Sequence, residues 1–179
     1  MPRIYFTLKF NVEMELVIRS LWRKIADAGI PVDGLGGYRP HLTLAGYVAE
    51  EVSAFEQGIV PVIAAFRRFP VHFESIGIFP TGNVIFLQPR PSEQILTLQK
   101  TVLETFYGPE WPALSHEHFG LGRWMPHCML TRRVSIEQLQ RVLQICLQER
   151  YSIQGEVEGV GLRVHPEVVD QRYFAFEAI

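Results

Sequence analysis

The sequence predicts an α+β protein of two pseudo-symmetric lobes, each a small, mostly antiparallel sheet with helices packed outside, around a central cleft. Three observations predict it. Short β-branched and aromatic runs alternate with apolar residues at helical spacing; the strand, helix and hairpin order occurs twice; and a Pro-His-x-x-Leu element stands at the same point of each copy, at His41 and His127. The 179 residues are expected to form a single bilobal domain, 1–179, with one histidine element per lobe.

Ile4–Leu8 reads as the first strand, and Met14, Val17, Leu21, Ile25 and Ala28 mark one face of a helix that Gly29 and Pro31 stop. A glycine-rich stretch, Gly34-Leu35-Gly36-Gly37, then leads to Pro40, which suits the first position of a strand beginning His41-Leu42-Thr43-Leu44. These glycines precede a strand and open no helix, so they are not a dinucleotide fingerprint and imply no nucleotide cofactor. A second helix runs from Val52 through Phe55, Ile59, Val62 and Phe66, kinked at Pro61. Val71–Phe79 and Val84–Leu87 form a hairpin about Thr81-Gly82-Asn83.

Pro91, in the first turn, opens a third helix with Ile95, Leu98, Val102 and Phe106 on one face, and Gly108-Pro109 ends it. Gly108 to Trp124 has no period and reads as a long ordered loop carrying Trp111, Phe119 and Trp124. After Pro126 come a strand, His127–Val134, and a fourth helix with Ser135 and Gln138 as a capping box over a stripe of Leu139, Val142 and Cys146. Tyr151–Val164 and Arg172–Phe176 close the chain as a strand pair.

Composition limits the function classes. At 47% hydrophobic and 20% charged residues the chain holds a core and is not a disordered or low-complexity protein. A net charge of −2 gives no global field for a polyanion, which argues against DNA or long duplex RNA as a partner and leaves only local phosphate binding. Cys128 and Cys146 each lie in an apolar stretch, as free core thiols of a reducing cytoplasmic compartment do. No run approaches the ~18 apolar residues of a membrane helix. A cytoplasmic monomer with no membrane partner is expected.

Along a strand, residues i and i+2 share a face, so His41 projects with Thr43 and His127 with Met129. Two imidazoles facing one cleft can divide phosphodiester chemistry: one takes a proton from the attacking oxygen while the other protonates the departing one. Thr43 can donate a hydrogen bond to a non-bridging phosphate oxygen as charge builds there. Strand histidines satisfied by backbone carbonyls are the ordinary alternative. The duplicated context argues against it, because a role in the fold alone does not ask both lobes for histidine at the same point.

Tyr38, Trp111, Phe119 and Trp124 flank the two elements, where an aromatic face can stack a nucleobase or simply pack a loop. His116-Glu117-His118 with His127 would offer zinc-type ligands, but no His-Glu-x-x-His or Cys-x-x-Cys pattern accompanies them, so no metal is expected. His72 and His165 stand at strand ends with no partner to argue for.

These motifs resemble the two-histidine phosphoesterase superfamily, which includes the proteins called 2′-5′ RNA ligases and the 2′,3′-cyclic phosphodiesterases. The resemblance covers almost the whole chain. His41-Leu42-Thr43-Leu44 matches the first motif fully and His127-Cys128-Met129-Leu130 the second in part. It implies a site without metal or cofactor in which His41 and His127 are acid and base and Thr43 steadies the phosphate. Met129 stands where the family usually has Thr or Ser; a thioether cannot donate, and one missing donor of this kind costs roughly 2 to 4 kcal/mol of barrier. Thr131, Arg132, Arg39 or Arg123 could compensate. The substrate-contacting set expected around the catalytic three is Tyr38, Arg39, Arg123, Trp124, Met129 and Thr131.

The function implied is hydrolysis of a 2′,3′-cyclic phosphate or a 2′-5′ phosphodiester, with a nucleotide or RNA end as partner. Two rivals stand beside it: a catalytically weak or inactive nucleotide- or RNA-end-binding protein, because of Met129, and a structural protein that keeps only the fold.

Overall fold

A computed structural model describes residues 1–48, 50–109, 111, 116–120, 122–149, 152–166, 170 and 172–178, without the side chains of residues 116 and 117. Seven strands form one wholly antiparallel sheet: β1 (Arg3–Phe10), β2 (His41–Val48), β3 (Phe69–Phe79), β4 (Val84–Pro89), β5 (Cys128–Thr131), β6 (Ile153–His165) and β7 (Arg172–Ala175). The path is β2-β1-β6-β3-β4-β5, with β7 also on β6. Four longer helices complete the fold: α1 (Val12–Asp27), α2 (Ser53–Ala64), α3 (Glu93–Thr105) and α5 (Ile136–Glu149). Between the last two lies the one-turn α4 (His116–Phe119).

The α+β class and antiparallel sheet agree with the sequence expectation, but the two half-sheets are continuous. Strand β6 joins them: β1 pairs along one edge from Val157 to His165, while the other edge is divided between β3 at Ile153–Val157 and β7 at Gly159–Leu162. The motif strands β2 and β5 therefore stand at opposite ends of the path. The sheet curls until these ends approach one another within 8 Å between Cα atoms.

Most predicted elements form, with shifted ends. Gly82 and Asn83, at φ 80° and 45°, make the β3–β4 turn, a conformation that glycine and asparagine tolerate. Ser135 and Gln138 make both capping-box bonds, at 3.2 and 2.9 Å. Helix α2 stops at Ala64, short of Phe66, because its last amides turn to i−3 carbonyls. In α3 the cap is Ser92, whose hydroxyl accepts from the Ile95 amide at 3.3 Å, so Pro91 precedes the helix and does not begin its first turn. Strand β5 ends at Thr131, before Val134, where Arg133 takes φ 57°. Part of the predicted 108–124 loop and Tyr151, the expected start of the closing strand, lie outside the described residues.

One hydrophobic cluster runs through the molecule and fixes the faces of both motif strands. Leu42 and Leu44 are buried in it, as are Cys128 and Leu130, so the intervening His41, Thr43 and Met129 turn the other way. No described helix is long and apolar enough to cross a membrane.

Candidate active site

On the open face of the curled sheet lies a cleft of about 420 Å³, and His41, Thr43, His127 and Met129 all line it. The strands carrying these residues are far apart in sequence, and two indole donors tie them together. Trp124 Nε1–H donates to the Thr43 carbonyl at 2.9 Å, and Trp22 Nε1–H, from α1, donates to the Met129 carbonyl at 3.1 Å. The i+2 position of each motif thus receives a tryptophan from the other side. Gly34 permits this for Trp22, since a Cβ there would stand 2.6 Å from the indole ring.

The histidines are held alike. His41 Nδ1 lies 2.7 Å from the Arg39 carbonyl and His127 Nδ1 lies 2.8 Å from the Met125 carbonyl, each the residue before the motif proline. A carbonyl only accepts, so each Nδ1 carries the hydrogen and each Nε2 keeps its lone pair in the neutral ring. His127 is seated against Phe79 and Phe86 of the β3–β4 hairpin, with ring centroids 5.0 and 5.3 Å away. The Tyr38 ring stands 6.5 Å from that of His41.

Burial, with neighbouring charge, disfavours the protonated form of both rings. Burial holds the His41 imidazole well below its ordinary value of 6.5, and the cations Lys9 and Arg163 push the same way. Burial also lowers His127, with His118 adding to it, while the Met125 carbonyl opposes the shift. Beneath His41, Lys9 is 2% exposed and its ammonium lies 2.7 Å from Asp170, itself 10% exposed. Lys9 is the direct cross-strand partner of His41.

Of the expected substrate contacts, Tyr38 and Met129 line the cleft; Arg39, Arg123, Trp124 and Thr131 do not. Arg39 is engaged by Glu15 at 2.8 Å and by Glu158 at 3.7 Å. Thr131 is buried and donates to the Pro31 carbonyl at 2.5 Å, tethering the loop that precedes β2. Trp124 serves through its bond to Thr43, and Arg123 is exposed. Of the other flanking aromatics, Trp111 packs edge-on against Phe55 and Phe106, while the Phe119 carbonyl accepts from Gln99 at 2.7 Å. Arg132 reaches the cleft rim, bound to Asp33 at 2.5 Å.

Sequence reasoning missed Arg3, Tyr5, Trp22, Arg133 and Arg163 as lining residues, and left His165, which also lines the cleft, without a role. A signal was present in two strands: Arg3 and Tyr5 alternate with the core residues Ile4 and Phe6, and Arg163 and His165 with Leu162 and Val164. Among the described residues no group of three His, Cys, Asp or Glu side chains gathers as a metal site.

No curated protein sequence matches the chain. Among solved structures, Escherichia coli LigT complexed with 3′-AMP is similar at 16% identity and a TM-score of 0.62, with 98% of each chain covered. The Thermus thermophilus protein TT0787 is similar at 17% identity and a TM-score of 0.62, again over 98% of each chain. Usb1 of Kluyveromyces marxianus follows at 14% and 0.51, over 98% of this chain and 97% of that one. Those likenesses establish the fold. A family model described as the 2′-5′ RNA ligase superfamily matches residues 33–168, a span that holds both histidine strands and the hairpin seating His127, and the chain belongs to that superfamily.

Proposed function

We propose that the protein is a phosphodiesterase that opens a 2′,3′-cyclic phosphate, or cleaves a 2′-5′ phosphodiester, at the end of a nucleotide or RNA. The observation that carries this reading is the matched pair of imidazoles. Each has its Nδ1–H held by the carbonyl two residues back, which leaves both Nε2 atoms for one cleft.

The cations Lys9 and Arg163 disfavour a proton on His41, whereas at His127 only His118 acts in that sense, so we assign His41 the part of base and His127 that of acid. Neutral His41 takes a proton from water, whose oxygen forms the new bond to phosphorus. The bond from phosphorus to one ribose oxygen breaks, and protonated His127 delivers its proton to that oxygen. Thr43 donates to a non-bridging oxygen as charge accumulates. Because both proton transfers are supplied by imidazoles, the chemistry requires no metal.

The test is turnover of the four 2′,3′-cyclic nucleoside monophosphates in chelator, with the product identified. Removing either histidine, as His41→Ala or His127→Ala, is expected to lower the rate by at least ~10². In the same assay Met129→Thr places a hydroxyl at the second motif's cleft-lining position and raises turnover by up to ~10² to 10³. Saturable nucleotide binding with no turnover would overturn the catalytic reading and leave a nucleotide-binding protein.

A further inference from the structure

We propose that Arg163, with Arg3 and His165 beyond it, forms a second phosphate site, which makes the cyclic-phosphate end of an RNA strand a better substrate than a cyclic mononucleoside. This rests on the reading that the reacting phosphate lies between His41 and His127. In an RNA end the terminal nucleoside carries a 5′-phosphate as well as the cyclic one, and the second site takes that 5′-phosphate.

Register carries the argument first. On β1 the residues Thr7, Tyr5 and Arg3 share one face; Thr7 is the cross-strand partner of Thr43, Tyr5 of Arg163, and Arg3 of His165. A two-residue step along a strand is about 7 Å. Arg163 therefore stands about one step from the level of Thr43, and Arg3 with His165 stand a further step out. All of them line the same cleft as the histidines. Arg163 and Arg3 form a cationic row leading from the reacting position to the rim.

Preorganisation carries it second. The Arg163 guanidinium lies 5.4 Å over the Tyr5 ring and 5.1 Å from the Tyr38 ring centroid, so two aromatic faces hold its plane and leave its N–H edge for a bidentate acceptor. The Tyr38 segment is itself fixed, because Arg19 donates to the Tyr38 carbonyl at 2.9 Å. Among the described residues no carboxylate stands within ion-pair distance of Arg163 or Arg3, and Asp170, which pairs with Lys9, acts on Arg163 only from farther off. The neighbouring buried cation, Lys9, is neutralised by Asp170. A part-buried guanidinium on an interior strand, held flat with its edge free, fits an anionic ligand.

Calorimetry with adenosine 3′-monophosphate and adenosine 3′,5′-bisphosphate tests the second site without requiring turnover. The unaltered protein is expected to bind the bisphosphate at least about tenfold more tightly, as one charge-assisted contact provides. That ratio falls towards one in Arg163→Gln and in Arg3→Gln, the latter an exposed position whose change leaves packing intact. A dinucleotide ending in a 2′,3′-cyclic phosphate should likewise exceed the cyclic mononucleotide in kcat/KM by about tenfold, an advantage both variants lose. Equal affinities, no binding of either nucleotide, or a preference that survives both substitutions overturns the proposal. Failure of every cyclic phosphate to turn over would instead overturn the catalytic reading, while the calorimetric ratio would still report the second site.

Discussion

Lys9 shows how a single residue can set the chemistry of a neighbour it does not touch in sequence. Its ammonium, buried opposite His41, disfavours the imidazolium and so lowers the His41 pKa together with burial. The base must be neutral, so His41 governs the acidic limb of kcat/KM against pH, and His127, the acid, governs the alkaline limb. With both values below 6.5, the maximum is expected on the acidic side of that value. Replacing the ion pair with apolar residues, as Lys9→Met with Asp170→Leu, removes the cation and raises the His41 pKa. The acidic limb should then move to higher pH while the alkaline limb stays in place, a difference that a pH series of initial rates measures. Limbs that do not move would remove Lys9 from the tuning of the base.

Elements were legible in the sequence wherever the determining contacts are local. The alternation His41-Leu42-Thr43-Leu44 gives the strand and its open face, and Ser135 with Gln138 gives the start of α5. Thr131 shows the limit: its spacing from Met129 suggested a place in the cleft, but the segment at Pro31 covers it, and nothing near Thr131 in sequence encodes that cover. The division of β6 between β3 and β7 is non-local in the same way. The hairpin that seats His127 depends on a close approach of this kind. A Cβ at Gly77 would stand 2.2 Å from the Phe86 ring, and that ring packs on His127. Gly77→Ala is therefore expected to destabilise the fold by about 1 to 3 kcal/mol and to lower turnover by displacing the acid. Gly36→Ala, which meets nothing within 4 Å, serves as the control in urea denaturation and rate assays. If Gly77→Ala matched that control, Phe86 would not be what positions His127.

At the scale of the whole molecule, curling of one sheet brings its two ends together, and the chain's own first strand and last segment lock the floor between them. Lys9 belongs to β1, Asp170 to the segment leading into β7, and Gly161 leaves the space in which they meet, since a Cβ there would stand 2.5 Å from the Lys9 side chain and 2.6 Å from the Asp170 carboxyl carbon. Burial already lowers the Lys9 pKa against the pull of Asp170, so the ammonium depends on its partner. Asp170→Asn leaves a nearly inaccessible cation without a counter-charge and should cost about 3 to 5 kcal/mol in equilibrium denaturation, far more than an exposed pair is worth. The apolar double replacement Lys9→Met with Asp170→Leu should recover most of that loss, because it removes both desolvation costs together. A loss below about 1 kcal/mol in Asp170→Asn would mean that water reaches the pair. In that case the Lys9 charge would be screened from His41, and the acidic limb of the pH profile would be set by burial and Arg163 alone.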